Sequence, residues 1–231
     1  MVGFGAAAYG ATPYAGATGA KRVLSNVFDI PNTTTQMRTV RFGRSENTQI
    51  FESPISGSVQ TAELTGGKWM ATFNLVTLTR AEAQAWIAFL VKLRGMSGRF
   101  YAHDPSNVAA LGDLTGSNPQ INGGGQTGKS LLVSGFAAST TGVLLAGDAI
   151  SFDTATWRER HIITADVDSD SSGNATLPLA FPMRQSPIQN DLIRTTSASC
   201  IMRLADNDQA FWNVQEALRF GIQFSGVEVF K

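Results

Sequence analysis

The sequence predicts a mainly β protein with one clear α-helix. It reads as a β barrel-like host domain, built from both chain ends, carrying a small inserted β-barrel or sandwich. Three observations predict this. Short apolar–polar alternating runs recur along the chain, with Gly, Pro, Asn and Asp turns between them. Only residues 79–94 carry a strong helical period. Composition and charge shift together near residue 106: residues 1–105 hold ten Lys/Arg and six Asp/Glu, residues 106–194 hold five and eight, and residues 195–231 hold three and four. The middle segment, 106–194, therefore reads as an acidic insertion. Residues 21–105 and 195–231 read as its host.

Residues 1–20 are rich in Gly and Ala, with scattered Phe4, Tyr9 and Tyr14. Such a segment cannot build a core alone. It reads either as a flexible arm or as an arm that orders against a neighbouring subunit through those aromatics. Residues 40–42, 49–52 and 59–64 read as short strands. Gly66-Gly67 stands between two alternating runs, which signals a hairpin. In the second run Trp69, Ala71 and Phe73 share one face.

The helix is expected over 79–94. Thr79 followed by Glu82 forms a capping box. Ala83, Trp86, Ile87, Leu90 and Leu93 make the apolar stripe, widened by Phe89. Lys92 and Arg94 suit the carboxyl end of the dipole, and Gly95 suits a left-handed stop. Residues 98–104 read as a strand ended by Pro105. Residues 106–128 are a glycine-rich loop or linker. Strands are then expected at 130–134, 149–152, 160–167, 175–179, 191–195, 198–204 and 222–230. Residues 209–220 fit either a short helix or an irregular strand.

Composition excludes several functional classes. Eighteen Lys+Arg balance eighteen Asp+Glu, so no general phosphate-binding surface is expected, and no sequence-specific nucleic-acid role. A single cysteine, Cys200, excludes an intramolecular disulfide and a cysteine-rich zinc module. It lies in an apolar run and reads as a buried, inert thiol. His103 and His161 leave little for metal or histidine chemistry. The longest apolar run, 85–91, is far short of the ~20 residues that cross a bilayer. The first residues lack the basic start of a secretory signal. Charged residues are 16% of the chain, against ~25% in an ordinary domain, which suits a subunit covered by neighbours.

Residues 123–130 match the P-loop pattern, with Lys129 and Ser130 at the close. Phosphate binding there needs a buried strand before and a helix after. Residues 118–122 are no buried strand and 131–135 read as a strand, so a flexible loop is expected. Asp166, Asp168 and Asp170 alternate like a calcium loop but lack its glycine and closing glutamate. His103-Asp104 has no nucleophile elbow to serve. Glu63 and Glu82 are not placed together by anything in the sequence. No catalytic, cofactor-binding or metal residue and no enzyme activity is expected of this sequence.

The helix with Trp86 and Phe89, its Leu93-Arg94-Gly95 end, and the following Arg99-Phe100-Tyr101 and Asp104-Pro105 together resemble the distal tail protein family of long-tailed bacteriophages and prophages. The segments 128–135, 144–152, 177–184 and 202–204 resemble the inserted β domain found in many members. The likeness spans roughly residues 49–205 and leaves out the Gly/Ala arm. It implies a structural virion protein at the tail tip, made in the bacterial cytoplasm. It implies a hexameric ring whose belt domain joins the tail tube protein to the hub and the receptor-binding or fibre proteins. No catalytic residues come with it. Some insertions of this family resemble carbohydrate modules, so a host surface glycan is among the partners it allows. Phe136 and Trp157 are the surface aromatics expected to serve such a role, with Phe152 and Phe181 as further candidates. Another minor tail or baseplate protein, or a stand-alone carbohydrate-binding β module, are the alternatives.

Overall fold

A computed structural model describes residues 27–31 and 36–230; the Gly/Ala arm of residues 1–20 lies outside the described residues. The strands are β1 (Val27–Asp29), β2 (Met37–Glu52), β3 (Val59–Leu75), β4 (Arg99–His103), β5 (Gln120–Ile121), β6 (Gly128–Ser134), β7 (Ala149–Asp153), β8 (Arg158–Ile162), β9 (Ala175–Met183), β10 (Ser199–Leu204), β11 (Trp212–Gln215) and β12 (Arg219–Glu228). The one α-helix among the described residues, α1, spans Arg80–Leu93. The described residues are therefore mainly β with a single α-helix.

The strands sort by position in the sequence. One seven-stranded sheet runs β1-β4-β10-β12-β3-β2, with β11 beside β12. It takes residues only from 27–103 and 199–228. The other two sheets, β5-β6-β9 and β7-β8, come from the middle of the chain. All ladders are antiparallel except β1 with β4. The large sheet stays open among the described residues: β1 and β2 form its two edges, and it does not close into a barrel.

Two apolar cores follow this division. In β3, Trp69, Ala71, Phe73 and Leu75 are buried and their neighbours are not, as period-two alternation requires. Helix α1 lays Ala83, Trp86, Phe89, Leu90 and Leu93 onto that face. Phe73 stacks on Phe224 of β12 at 4.9 Å, and Phe89 meets Phe100 of β4 edge-on at 5.7 Å. Ile87 is only partly buried at the margin. The second core gathers residues such as Ile121, Leu131, Leu144, Phe152 and Leu177 from the middle of the chain.

The helix ends are set locally. The Glu82 carboxylate accepts from the Thr79 amide at 2.8 Å and from the Thr79 hydroxyl at 2.7 Å. Those bonds, the backbone one first, hold the Glu82 carboxyl below its usual range. At the other end Arg94 itself turns left-handed (φ 52°), and Gly95 follows it (φ 66°).

Gly66-Gly67 does not make a hairpin. β3 runs straight through it, and the turn lies at residues 53–58, where Glu52 faces Val59. Between Ser45/Lys68 and Asn47/Leu64 the register shifts, so residues 65–67 oppose Glu46 alone. At Gly67 a Cβ would come within 2.5 Å of the Arg44 and Glu46 side-chain ends, which cross the strand there and could swing aside. Further differences are smaller. Residues 191–195 form isolated bridges to Gln120 and Ser151 rather than a strand. The strand expected at 160–167 begins at Arg158 and ends at Ile162. Residues 209–220 hold β11 and a short 3-10 turn over Glu216–Leu218.

Candidate functional site

The seam between the middle segment and the large sheet is built from buried charge. β8 reads Arg158-Glu159-Arg160-His161, and all four are buried. Alternation sends them to two sides. Arg158 donates to Asp153 at 2.7 Å and to the Ser199 hydroxyl on β10 at 3.0 Å, and its guanidinium lies 4.2 Å from the Tyr101 ring. Arg160 donates to the Ala198 carbonyl at 3.0 Å, while its own carbonyl accepts from the Trp69 indole at 3.0 Å. Its guanidinium lies 4.5 Å from the Trp69 ring. Arg194 reaches the other Asp153 oxygen at 2.9 Å.

On the opposite side, Glu159 accepts from the Trp157 indole, from His161 Nε2, and from the amides of Arg184 and Gln185, at 3.0–3.2 Å. Burial would raise its carboxyl, but the bonds from His161 and the amides outweigh burial and hold it below the usual range. His161 is stacked between Phe152 at 5.3 Å and Phe181 at 4.3 Å. Burial pushes its pKa down. Neutral imidazole that donates from Nε2 leaves Nδ1 as a bare lone pair, and Nδ1 has no hydrogen-bond partner among the described residues. A third node ties the chain end in. Glu228 on β12 accepts both Arg184 nitrogens, at 3.1 and 3.2 Å, and the Trp69 amide at 3.0 Å. Arg184 also donates to the Gly67 carbonyl.

Beside this seam lies a cleft of about 670 Å³, lined by Arg44, Glu63, Trp157, Phe181, Arg184 and Phe230 among others. The Arg44 guanidinium sits 3.5 Å over Phe181.

The aromatics expected at the surface are not there. Phe136 is 6% exposed and Trp157 is 8% exposed. Phe136 packs in the second core, and the Trp157 indole is committed to Glu159. Phe152 and Phe181 are buried as well, one on each side of His161. Phe136 and Trp157 lie in loops folded inward, Phe152 is on β7, which is buried at every position, and Phe181 belongs to the inward-facing set of β9.

The other sequence candidates are dispersed. Strand β6 starts at Gly128, so Lys129 stands on a strand, 3.8 Å from Glu63 in an exposed pair. Asp166, Asp168 and Asp170 each accept loop amides, from Ala146, Gly142, and Ser172 with Asn174 respectively. They cap turns and do not converge. Among the described residues no group of three or more His, Cys, Asp or Glu could hold a metal ion. Half-buried His103 sits on β4 opposite Ser199; burial, then nearby Arg160, lowers its pKa. Cys200 is buried, and burial pushes its thiol pKa up, which makes it unreactive. No helix among the described residues is long and apolar enough to cross a membrane.

Two outward surfaces remain, and the sequence reading missed both. β12 pairs with β3 only from Met70 onward, so residues 59–69 of β3 have β2 alone beside them. Residues 45–68 thus form a two-stranded arm, almost wholly exposed on both faces. Its tip carries Ile50, Phe51, Ile55 and Val59, with Phe51 74% and Ile55 96% exposed. At the other end of the sheet, β11 is exposed throughout, and Phe211, Val214 and Leu218 stand out to solvent with Trp212. Beside it is a recess of about 680 Å³ lined by Arg38, Asn74, Asp208, Phe211 and Asn213 among others. Exposed apolar side chains at a strand's end were the available signal, but alternation does not tell a half-buried strand from a bare one.

No family model matches this chain, and no curated protein matches its sequence.

Proposed function

We propose that the chain is a structural subunit of the tail tip of a long-tailed bacteriophage, of the distal tail kind. In this role it forms a hexameric ring in the virion that joins the tail tube to the hub and the receptor-binding or fibre proteins. The observation that carries the reading is the β2–β3 arm. A lone two-stranded ribbon with apolar residues on both faces is marginal in water and suits an element that is covered in an assembly. The low charge and the tail-protein likeness around α1 and β4 support the same role. A carbohydrate-binding module is not favoured, because the aromatics it would use are buried.

Light scattering of the purified chain with negative-stain imaging tests this. Six-subunit open rings are expected as concentration rises. A chain that stays at its 24.6 kDa monomer mass at all concentrations overturns the reading.

A further inference from the structure

The arm tip and the β11 surface lie at opposite ends of one sheet. β3 starts at Val59 beside the tip and ends at Leu75, and just beyond it Leu78 bridges Phe220 of β12. At about 3.3 Å per residue, those sixteen steps separate the two surfaces by about 50 Å. The two are unlike in shape: one protrudes, and the other is an exposed strand beside a recess.

They also differ in charge. On the arm Glu46 pairs with Arg44 at 2.5 Å and Glu63 with Lys129 at 3.8 Å, which leaves Glu52, beside the tip, as the carboxylate without an ion pair among the described residues. At the other end Arg38, Arg80 and Arg219 are exposed, beside Asp208. Arg38 lines the recess itself.

The apolar residues are arranged for contact. On the arm, alternation puts Ile50 and Val59 on one face and Phe51 on the other, with Ile55 in the turn. On β11, Trp212 and Val214 share a face. Among the described residues β11 pairs with β12 alone, which leaves its outer edge without a strand.

Resting on the ring reading above, we propose that neighbouring subunits join head to tail. The β2–β3 arm tip of one copy seats on β11 and its recess in the next, with Phe51 and Ile55 against Phe211 and Trp212 and Glu52 facing Arg38. A protrusion on one end and a receptor on the other make a heterologous contact, which closes into a ring when the rotation per subunit fits. An arm-to-arm dimer does not use β11 at all.

Complementary variants test this. Phe51→Asp with Ile55→Asp disables the arm and leaves β11 whole. Trp212→Asp with Val214→Asp disables β11 and leaves the arm whole. All four side chains are exposed, so folding should survive, and circular dichroism with thermal unfolding checks it. Each variant alone should be monomeric. An equimolar mixture has one working contact per pair, so it should give a dimer of about twice the 24.6 kDa chain mass and nothing larger. Wild-type rings together with variants that still form rings overturn the head-to-tail contact and leave the ring reading standing. A β11 variant that dimerises alone points to arm-to-arm pairing and also overturns it. A wild-type chain that is always monomeric overturns both.

Discussion

Glu228 offers the sharpest test of the buried seam. Its carboxylate is 3% exposed and accepts three donors: two from Arg184 and the Trp69 amide. Glu228→Gln keeps the shape and removes the charge. The glutamine has one acceptor oxygen, so its NH2 group must face at least one of the three donors. Each hydrogen bond to a charged group is worth about 1.5–3 kcal/mol, and the two Arg184 contacts are of that kind. Arg184 keeps some access to water, at 16% side-chain exposure, and that solvation offsets part of the loss. We expect a destabilisation of about 3 kcal/mol, below the upper end of the ~3–5 kcal/mol found when one partner of a fully buried pair is removed. For a chain of this length that lowers the Tm by roughly 6–12 °C. The assay is urea unfolding of wild type, Glu228→Gln, Arg184→Met and the double variant. The pair should couple by more than about 1 kcal/mol, since the second substitution removes an interaction already lost. A Glu228→Gln loss under about 0.5 kcal/mol, or fully additive variants, would refute the view that this node holds the seam.

Two further outcomes follow from the same geometry. His161 has a folded pKa depressed by burial, so below the unfolded value of about 6.5 the unfolded chain binds more protons and stability falls as pH drops. Glu159, whose folded pKa is also lowered, loses stability in the same direction at lower pH. His161→Phe should therefore narrow the Tm difference between pH 7 and pH 5, while shifted His103 keeps part of it; an unchanged difference counts against this account. At Gly98 a Cβ would lie 2.6 Å from the Leu93 Cα and carbonyl oxygen, backbone atoms that cannot swing aside. Gly98→Ala should cost about 2 kcal/mol, read by thermal unfolding as a Tm drop of roughly 4–8 °C, and a drop under about 1 °C would show that the loop after α1 yields freely.

Local physics made much of this chain legible in its sequence. Residues 79–94 announced α1 because the cap, the apolar stripe and the stop are set within a few residues of one another. Trp69, Ala71 and Phe73 announced the buried face of β3 for the same reason. The middle strands were mostly placed to within a few residues, since turns such as Ala146-Gly147-Asp148 and Ser172-Gly173-Asn174 bound them.

Tertiary structure decided what each face meets. Gly66-Gly67 carries the chemistry of a turn, yet β3 continues through it, its pairing with β2 absorbing residues 65–67 opposite Glu46 as a bulge. Arg158, Glu159 and Arg160 have the look of a solvated strand; only the arrival of β10, Trp69 and residues 184–185 buries them and supplies their partners. Trp157 is turned from solvent by its bond to Glu159, and Phe136 by packing into the second core. The bare arm is the converse case, since residues 45–68 alternate much like buried strands and no third strand comes to cover them. Spacing along a chain fixes periodicity and caps, which depend on near neighbours. Burial depends on which distant segment packs against a face, and that is settled only when the whole chain has folded.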